Sequence, residues 1–263
     1  MDVERLVELI RVREPCVALT GAGVSTESGI PDFRSPTGIW AQYDPTEYAT
    51  IDAFLADPVK VWDFYAKRLD LLAQARPNDG HHALAELERR GFVDAVITQN
   101  IDCLHERAGS RSLVEVHGSI RTSSCLDCGE VVPLEEVRKL LRSAPVPACP
   151  TCGRILKPDV VMFGELLPAA AIARATQLAA GARLLLVVGS SLEVYPVAGL
   201  PLETLAAGGS LAIVNRGVTQ FDRRASVTID AGAGETLRAV AAALPGRREG
   251  AREDRLAEPP VQR

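Results

Sequence analysis

Four of the six cysteines form two Cys-x-x-Cys pairs, Cys125 with Cys128 and Cys149 with Cys152. A spacer of 20 residues, 129–148, separates the two pairs. Four thiolates at this spacing satisfy the tetrahedral coordination of Zn²⁺ and leave no open position on the metal. The sequence therefore predicts one structural zinc ion. It argues against a metallohydrolase, because hydrolysis by a Lewis acid needs an exchangeable water on the metal.

A glycine-rich turn follows the first short apolar run, which ends at Thr20, and the polar stretch after this turn can open a helix near Ser25. Gly21-Ala22-Gly23 is half of a dinucleotide-binding fingerprint, in which glycines permit a tight turn and let backbone amides approach a pyrophosphate. Thr26 stands where the third glycine of the usual pattern would be, and no clear acidic residue ends the next strand to bind a ribose. A conventional dehydrogenase is therefore disfavoured, and a turn that binds nothing remains open from these residues alone.

Two polar segments could complete a nucleotide site. In Asp32-Phe33-Arg34 the phenyl ring could cover a nicotinamide and the arginine could hold phosphate or ribose; the alternative is a loop aromatic that plugs the edge of the core. Ligands of open parallel sheets bind outside the carboxyl ends of the strands. The polar side chains that directly follow the strand ending near residue 98 are therefore placed to meet a ligand, namely Gln99, Asn100 and Asp102, although Asp102 could be only a helix cap.

One of the four histidines stands out by its position. His117 ends the apolar run 113–116 and precedes Gly118, so its imidazole is expected at the same sheet edge as Gln99. A pKa near 6.5 lets a histidine act as a general base at neutral pH. The others lie in helical patterns, where solvated or capping roles suit them better than catalysis: His81, His82 and His105.

In combination these segments resemble the sirtuin family, NAD-dependent enzymes that remove acyl groups from protein lysines. The resemblance rests on 21–34, on 98–105, on His117-Gly118 and on the two cysteine pairs, and it extends over about residues 9–244. It implies that the 32–34 loop clamps NAD, that the polar residues at 99–102 bind the nicotinamide amide and ribose, and that His117 is the catalytic base, with Asn100 beside it. It also implies phosphate and adenosine-ribose contacts at the ends of two later strands, from Gly189, Ser190, Ser191, Asn215 and Gly217.

The resemblance implies a peptide substrate as well. Residues 161–165 and 191–196 are similar to the two family segments between which an extended acyl-lysine peptide adds as a strand. The expected contacts are Val161, Phe163, Gly164, Glu165, Leu192 and Val194. In the implied reaction the acyl oxygen attacks C1′ of the nicotinamide ribose, nicotinamide leaves, and O-acyl-ADP-ribose and free lysine are released. An ADP-ribosyltransferase or NAD hydrolase and a non-enzymatic zinc-ribbon binding module remain as alternatives.

A further pair bears on which acyl group enters. Tyr65 and Arg68 are three residues apart in a predicted helix and so share a face. They resemble the Tyr-x-x-Arg pair with which one sirtuin branch holds the carboxylate of succinyl- or malonyl-lysine. The alternative is a solvated helix face, and the 35–40 loop is closer to the deacetylase branches. Deacetylation is therefore the main expectation, and desuccinylation a second activity.

Composition excludes several other classes. The net charge of −5 and the pI near 5.5 are opposite to the basic footprint of a nucleic-acid binder, so no such partner is expected. No apolar run approaches the ~20 residues that span a bilayer, and the start of the chain lacks the features of a signal peptide. We therefore expect a cytoplasmic protein without a membrane partner, in whose reducing compartment paired cysteines hold metal.

Short apolar runs alternate with helical patterns along most of the chain. The candidate strands are 16–20, 94–98, 113–116, 159–163, 184–188 and 211–214. Such alternation implies parallel strands with helices on both faces. The predicted fold class is α/β, a doubly wound, Rossmann-like parallel sheet with a small module of helices and a zinc ribbon.

The predicted domains follow from two interruptions of this alternation. The NAD-binding domain is expected to comprise 1–42, 91–120 and 155–245, and the active site to lie in the cleft between it and the small module. The small module is expected to combine a helical part, 43–90, with a zinc-ribbon part, 121–154. Residues 246–263 are charged, contain proline and lack apolar periodicity, so they are predicted to be a disordered tail.

Overall fold

The computed structural model describes residues 2–244 and residue 246. The strands in this part are β1 (Cys16–Thr20), β2 (Ala95–Thr98), β3 (Leu113–Glu115), β4 (Gly118–Cys125), β5 (Val131–Pro133), β6 (Leu156–Val160), β7 (Leu184–Val188), β8 (Ser210–Val214) and β9 (Val227–Ile229). The α-helices are α1 (Asp2–Val12), α2 (Pro45–Tyr48), α3 (Ile51–Ala56), α4 (Pro58–Gln74), α5 (Asp79–Arg89), α6 (Leu104–Ala108), α7 (Leu134–Leu141), α8 (Ala169–Gly181), α9 (Leu200–Ala206) and α10 (Ala233–Ala243). None of these helices is long and apolar enough to cross a membrane. Apart from residue 246, the tail predicted to be disordered lies outside the described residues.

Six parallel strands form the large sheet, in the order β3-β2-β1-β7-β8-β9. The order reverses between β1 and β7, which are paired from Cys16 with Leu184 to Thr20 with Val188. A crevice for a ligand is expected outside the carboxyl ends of the strands at such a reversal. This topology confirms the predicted doubly wound α/β fold.

Successive side chains along the strands of the large sheet point to opposite faces, and each face packs against helices to form a hydrophobic core. In β1, Cys16 and Ala18 join a cluster with apolar residues of α1, α5 and α10. Val17 and Leu19 point to the other face and join a cluster with residues of α8 and α9. Strands buried on both faces read as continuous apolar runs, which is why the sequence revealed them.

A small module with its own core covers one end of the large sheet. Its sheet is antiparallel, in the order β5-β4-β6, and its helices are α2, α3, α4 and α7. Phe54, Trp62, Val137 and Leu156 are fully buried in this core. The Trp62 indole N–H donates to the Leu156 carbonyl oxygen at 2.9 Å, which joins α4 to β6.

Three expectations about individual elements differ from the structure. The run 159–163 is not a strand of the parallel sheet, because only its first two residues belong to β6, which pairs antiparallel with β4. The helix expected near Ser25 is a 3₁₀-helix, Ala22–Ser28. The edge strand β9 was not predicted, since three residues with one exposed member carry too weak a pattern.

Helix α5 shifts the boundary of the small module. Ala83, Leu84 and Leu87 pack in the large-domain cluster, where α5 lies against α10. Asn78 begins this helix with a capping box, accepting from the amides of Gly80 and His81. Although 43–90 was assigned to the small module, we therefore propose that its helical part ends with α4.

Candidate functional site

A cavity of about 1020 Å³ opens at the carboxyl ends of the large sheet, facing the small module. One side of the cavity is lined by residues from the ranges 21–25, 99–102, 189–191 and 214–216, and we call this side the sheet-edge wall. We call residues 31–37, 40, 64, 65, 68 and 72 the helix wall. All predicted site residues outside the cysteine cluster contribute to the cavity lining except Leu192 and Gly217.

The glycine turn after β1 is fixed by its contact with the loop after β7. The amide of Gly21 donates to the Val188 carbonyl oxygen at 3.1 Å, and that of Gly23 to the Gly189 carbonyl oxygen at 2.9 Å. A Cβ on Gly23 would lie 2.8 Å from the Gly189 Cα, too close for any side chain. These glycines are thus required for loop-to-loop packing, and the approach of a ligand to them stays a prediction.

The 32–34 segment lies in an ordered loop of the helix wall. Asp32 accepts hydrogen bonds from the amides of Arg34 and Ser35, at 3.0 and 2.8 Å. The Arg34 side chain forms an ion pair with Glu193 at 2.8 Å, and both residues line the cavity. Asp32 therefore shapes the loop, and Glu193 holds the Arg34 guanidinium through Nε, which leaves its terminal N–H groups able to donate to an anion.

The polar residues after β2 are held by one another and by the neighbouring loops. The Gln99 side-chain amide donates to the Ser190 hydroxyl at 2.9 Å. The Asn100 amide donates to the Ser25 hydroxyl at 3.0 Å, and Ser25 in turn donates to the Asp102 carboxylate at 2.7 Å. Burial raises the pKa of Asp102, while the Leu104 amide and Ser25 act in the opposite direction. Ser25 thus links Asn100 to Asp102, a role that its sequence context did not indicate.

His117 has one ring nitrogen bonded and the other available. Its Nδ1 lies 3.0 Å from the Gln99 carbonyl oxygen, so Nδ1 must carry the proton and donate. Nε2 then holds the lone pair of the neutral ring, and it makes no hydrogen bond to a described residue. Burial lowers the pKa of His117, and the hydrogen bond to Gln99 opposes this shift. At neutral pH the side chain is a base at the cavity surface.

Two of the other histidines are buried and not solvated, and only one of them has the predicted alternative role of a helix cap. His81 and His105 are fully buried, with ring centroids 4.8 Å apart. Burial lowers their pKa values to about 3 and about 4, so both are neutral. Nε2 of His81 lies 3.4 Å from the Ser25 hydroxyl, and Nε2 of His105 lies 2.9 Å from the Thr20 hydroxyl. His82 is exposed, as expected, and the capping role expected for this group is found at His81.

The predicted peptide-binding segment already uses much of its backbone within the protein. The Val161 amide donates to the His117 carbonyl oxygen at 2.9 Å. The Phe163 amide donates to Ala49, and its carbonyl oxygen accepts from Ile51. Gly164, at φ +91°, donates its amide to no residue in the described part of the chain. Strand addition at this segment would therefore centre on Gly164.

Two residues predicted to contact ligands do not reach the cavity. The Leu192 side chain is 1% exposed and packs in the core under α8 and α9, with its backbone at φ +56°. Gly217 lies beyond Asn215, whose side-chain amide bonds the carbonyl oxygens of Arg216 and Gly217. A contact from Leu192 would have to use its backbone, and we expect Asn215 to carry the contact proposed for this loop.

Arg68 is placed in the cavity without an anionic partner. Its guanidinium carbon lies 5.5 Å from the ring centroid of Phe33 and 5.3 Å from that of Phe64. Among the described residues it makes no hydrogen bond and no ion pair. Burial lowers the pKa of Arg68 and raises that of the nearby Tyr65 to about 12, so the phenol stays protonated. The solvated-face alternative fails for Tyr65, which is only 8% exposed, whereas Arg68 is half-buried and its role stays a prediction.

The four paired cysteines converge in one cluster in the small module. Their sulfur atoms all lie within 4.8 Å of one another, and the edge of a tetrahedral zinc–thiolate site is about 3.8 Å. Both pairs fold into the same turn, in which the amide of the following glycine, Gly129 or Gly153, donates to the first cysteine's carbonyl oxygen. Both glycines have φ near +75°, at 74° and 76°. This donor set fits the predicted zinc ion.

Comparisons with known proteins agree with this geometry. The family model described as "Sir2 family" matches residues 21–196. An NAD-dependent protein deacetylase of Caldivirga maquilingensis is 48% identical over 222 residues, which are 84% of this chain and 85% of that protein. NAD-dependent protein deacylase 2 of Pyrobaculum aerophilum is 46% identical over 232 residues, 88% of this chain and 92% of that protein.

A solved structure described as "Sir2-p53 peptide-NAD+" superimposes with a TM-score of 0.86. It is 42% identical in sequence, and the match covers 91% of this chain and 97% of that one. Both the sequence relatives and this structure therefore match nearly the whole described part of the chain. The protein belongs to the Sir2 family.

Proposed function

We propose that this protein is an NAD-dependent protein-lysine deacylase. The observation that carries the proposal is His117, whose Nδ1 is held by the Gln99 carbonyl oxygen while Nε2 stays available in the cavity. The Sir2-family relatives named above support the same activity. One NAD, one acyl-lysine and one water are consumed, and nicotinamide, O-acyl-ADP-ribose and lysine are released.

The cavity fits NAD in position and size. It lies where the strand order reverses and has a volume of about 1020 Å³. Gln99, Asn100 and Asp102 would hold the nicotinamide ribose, and Ser191 and Asn215 the phosphate and adenosine end. When bound, NAD supplies the ribose carbon to which the acyl oxygen bonds as nicotinamide leaves.

His117 would remove a proton from a ribose hydroxyl and so make that oxygen nucleophilic towards the acyl carbon. The lowered pKa keeps Nε2 unprotonated and ready to accept. Once Nε2 is protonated, the Nδ1–H bond to the Gln99 carbonyl oxygen stabilises the positive ring. The side chain of Phe33 lies 5.1 Å from Trp40 and would help exclude water from the bound nicotinamide.

The zinc site has a structural role in this proposal. Cys125, Cys128, Cys149 and Cys152 would fill the coordination sphere of the ion and hold the two turns together. A reducing compartment keeps these thiols available, and we therefore propose that the enzyme acts in the cytoplasm on acylated proteins.

Mass spectrometry of the products tests the proposal. The protein is incubated with NAD and an acetyl-lysine peptide, and nicotinamide, peptide and nucleotide products are measured. Deacylation yields O-acetyl-ADP-ribose and free lysine in equal amounts. ADP-ribosylated protein or free ADP-ribose alone would favour a transferase or an NAD hydrolase, and no nicotinamide release would favour a binding module.

We infer a second activity on acyl groups that end in a carboxylate, such as succinyl-lysine. Arg68 supports it, because a half-buried cation without an anion among the described residues is costly unless a ligand supplies one. Tyr65 stays protonated beside it and can donate a second hydrogen bond. Comparing kcat/KM for succinyl- and acetyl-lysine versions of one peptide tests this; no measurable desuccinylation would reject it.

A further inference from the structure

The one buried lysine of the described chain lies directly behind the substrate segment. The Lys157 side chain, in β6, is only 7% exposed. Its ammonium nitrogen lies 2.9 Å from Oε2 of Glu165, 2.9 Å from the Val160 carbonyl oxygen and 3.0 Å from that of Pro158. An ammonium group has three N–H donors, so these acceptors use all of them. This lysine is therefore fixed in one position and serves no solvent-facing role.

The partner carboxylate closes the turn that carries the substrate segment. Oε2 of Glu165 also accepts from the Met162 amide at 2.8 Å, and the Glu165 amide donates back to the Met162 carbonyl oxygen at 3.0 Å. Gly164 lies between them in the left-handed region, at φ +91°. Lys157 thus holds the carboxylate on the backbone of a four-residue turn, at the cavity surface.

This turn is tied to both halves of the active site. At its start, the Val161 amide bonds the carbonyl oxygen of His117. In its middle, the backbone of Phe163 is paired with residues Ala49 and Ile51 of the small module. A change in the turn would therefore move the peptide-facing amide of Gly164 and disturb the neighbourhood of His117.

We propose that Lys157 is a positioning residue for the acyl-lysine substrate, holding Glu165 on the 162–165 turn. This rests on the deacylase activity proposed above. Lys157 sets the peptide-binding backbone at Gly164. The NAD contacts of the sheet-edge wall do not depend on it.

Steady-state kinetics and peptide binding of Lys157→Met test this role. We expect KM for an acetyl-lysine peptide to rise at least about tenfold, with KM for NAD within about twofold and zinc content unchanged. Lys157→Arg, which keeps the charge, should recover most of the peptide affinity. Lys139→Met, at an exposed ion pair with Glu136, is the matched control and should behave as wild type.

A second variant covers failure of Lys157→Met to fold. Lys157→Met with Glu165→Gln removes both charges, so no carboxylate is left buried without its partner. It should fold and still show a raised peptide KM with a normal NAD KM. Equal changes in both KM values, or an unchanged peptide KM in a folded variant, overturns the role of Lys157. If wild-type protein itself neither binds nor turns over the peptide, the deacylase proposal fails instead.

Discussion

The two walls of the cavity differ in how their polar groups are satisfied. On the sheet-edge wall, Gln99, Asn100 and Asp102 are hydrogen-bonded to the hydroxyls of Ser190 and Ser25. On the helix wall, Arg68 lies between aromatic rings with no anion among the described residues. The first wall is organised before any ligand arrives, whereas the second lacks a charge that a ligand could bring.

The difference indicates where specificity resides. A wall whose side chains already satisfy one another binds a constant ligand with little reorganisation, which suits NAD. An unpaired cation increases the affinity only for ligands that bring an anion to it. We therefore expect changes in the sheet-edge wall to affect every acyl substrate alike, and changes at Arg68 of the helix wall to separate one acyl group from another.

The largest expected effect is on the sheet-edge side. His117→Ala should lower kcat for acetyl- and succinyl-peptides equally, by about 10² to 10⁴, because the ribose hydroxyl loses its general base. NAD affinity, measured by calorimetry, should stay within about twofold. His82→Ala, at an exposed histidine, is the control and should keep full activity. Activity of His117→Ala within a few-fold of wild type would remove this residue from the mechanism.

Loss of zinc should disturb the structure of the helix wall more than that of the sheet-edge wall. Cys149→Ser should lose about one zinc ion per chain and lower the melting temperature, because a closed four-thiolate site contributes folding free energy. Peptide turnover should fall more than NAD affinity, since the small module carries α4. The control is Cys103→Ser, which should retain zinc because Cys103 lies outside the cysteine cluster. A zinc-free Cys149→Ser protein with full turnover contradicts the structural role.

Arg68→Met separates the two walls most directly. It should reduce kcat/KM for succinyl-peptide about 10- to 100-fold, the value of the charge-assisted hydrogen bonds that it loses. The reduction for acetyl-peptide should be much smaller. Lys67→Met, at the adjacent exposed lysine that pairs with Asp63, is the control. Equal losses for both peptides would mean that the helix wall does not sort acyl groups by charge.

The smallest effect is the acidic limb of the pH profile. Burial lowers the pKa of His117 from its usual 6.5, so the neutral base persists below that pH. As the pH falls through the lowered pKa, Nε2 becomes protonated and kcat/KM should drop, equally for both acyl groups. A plot of kcat/KM against pH should therefore show its acidic midpoint below about 6.5. A midpoint above that value would show that burial does not control this group.

The sequence predicted most of the sheet-edge wall because its signals are local. Short runs such as 16–20 and 184–188 are buried on both faces, and polar residues at their carboxyl ends must meet at one edge. The cysteine pairs were equally readable, since their spacing matches the geometry of the metal.

The parts that escaped prediction depend on contacts between distant segments. His81 and His105 were expected to be solvated or to cap helices, and His81 does cap α5, but the packing of the two rings inside the protein, between residues 24 positions apart, was not predicted. Ser25 bonds residues 75 and 77 positions away. The 159–163 run has a strand-like composition, but Lys157 and Glu165 bend its second half into a turn. Periodicity carries no information about such pairings.

The mutual approach of Gly23 and Gly189 has a consequence for how this sequence can change over time. A Cβ on either residue would collide with the backbone of the other, not with a side chain. No second substitution at the partner position can therefore relieve the first, and the two positions cannot drift together by compensation. In a saturation library both should accept glycine only, in contrast to Gly181, where an added Cβ meets nothing within 4 Å.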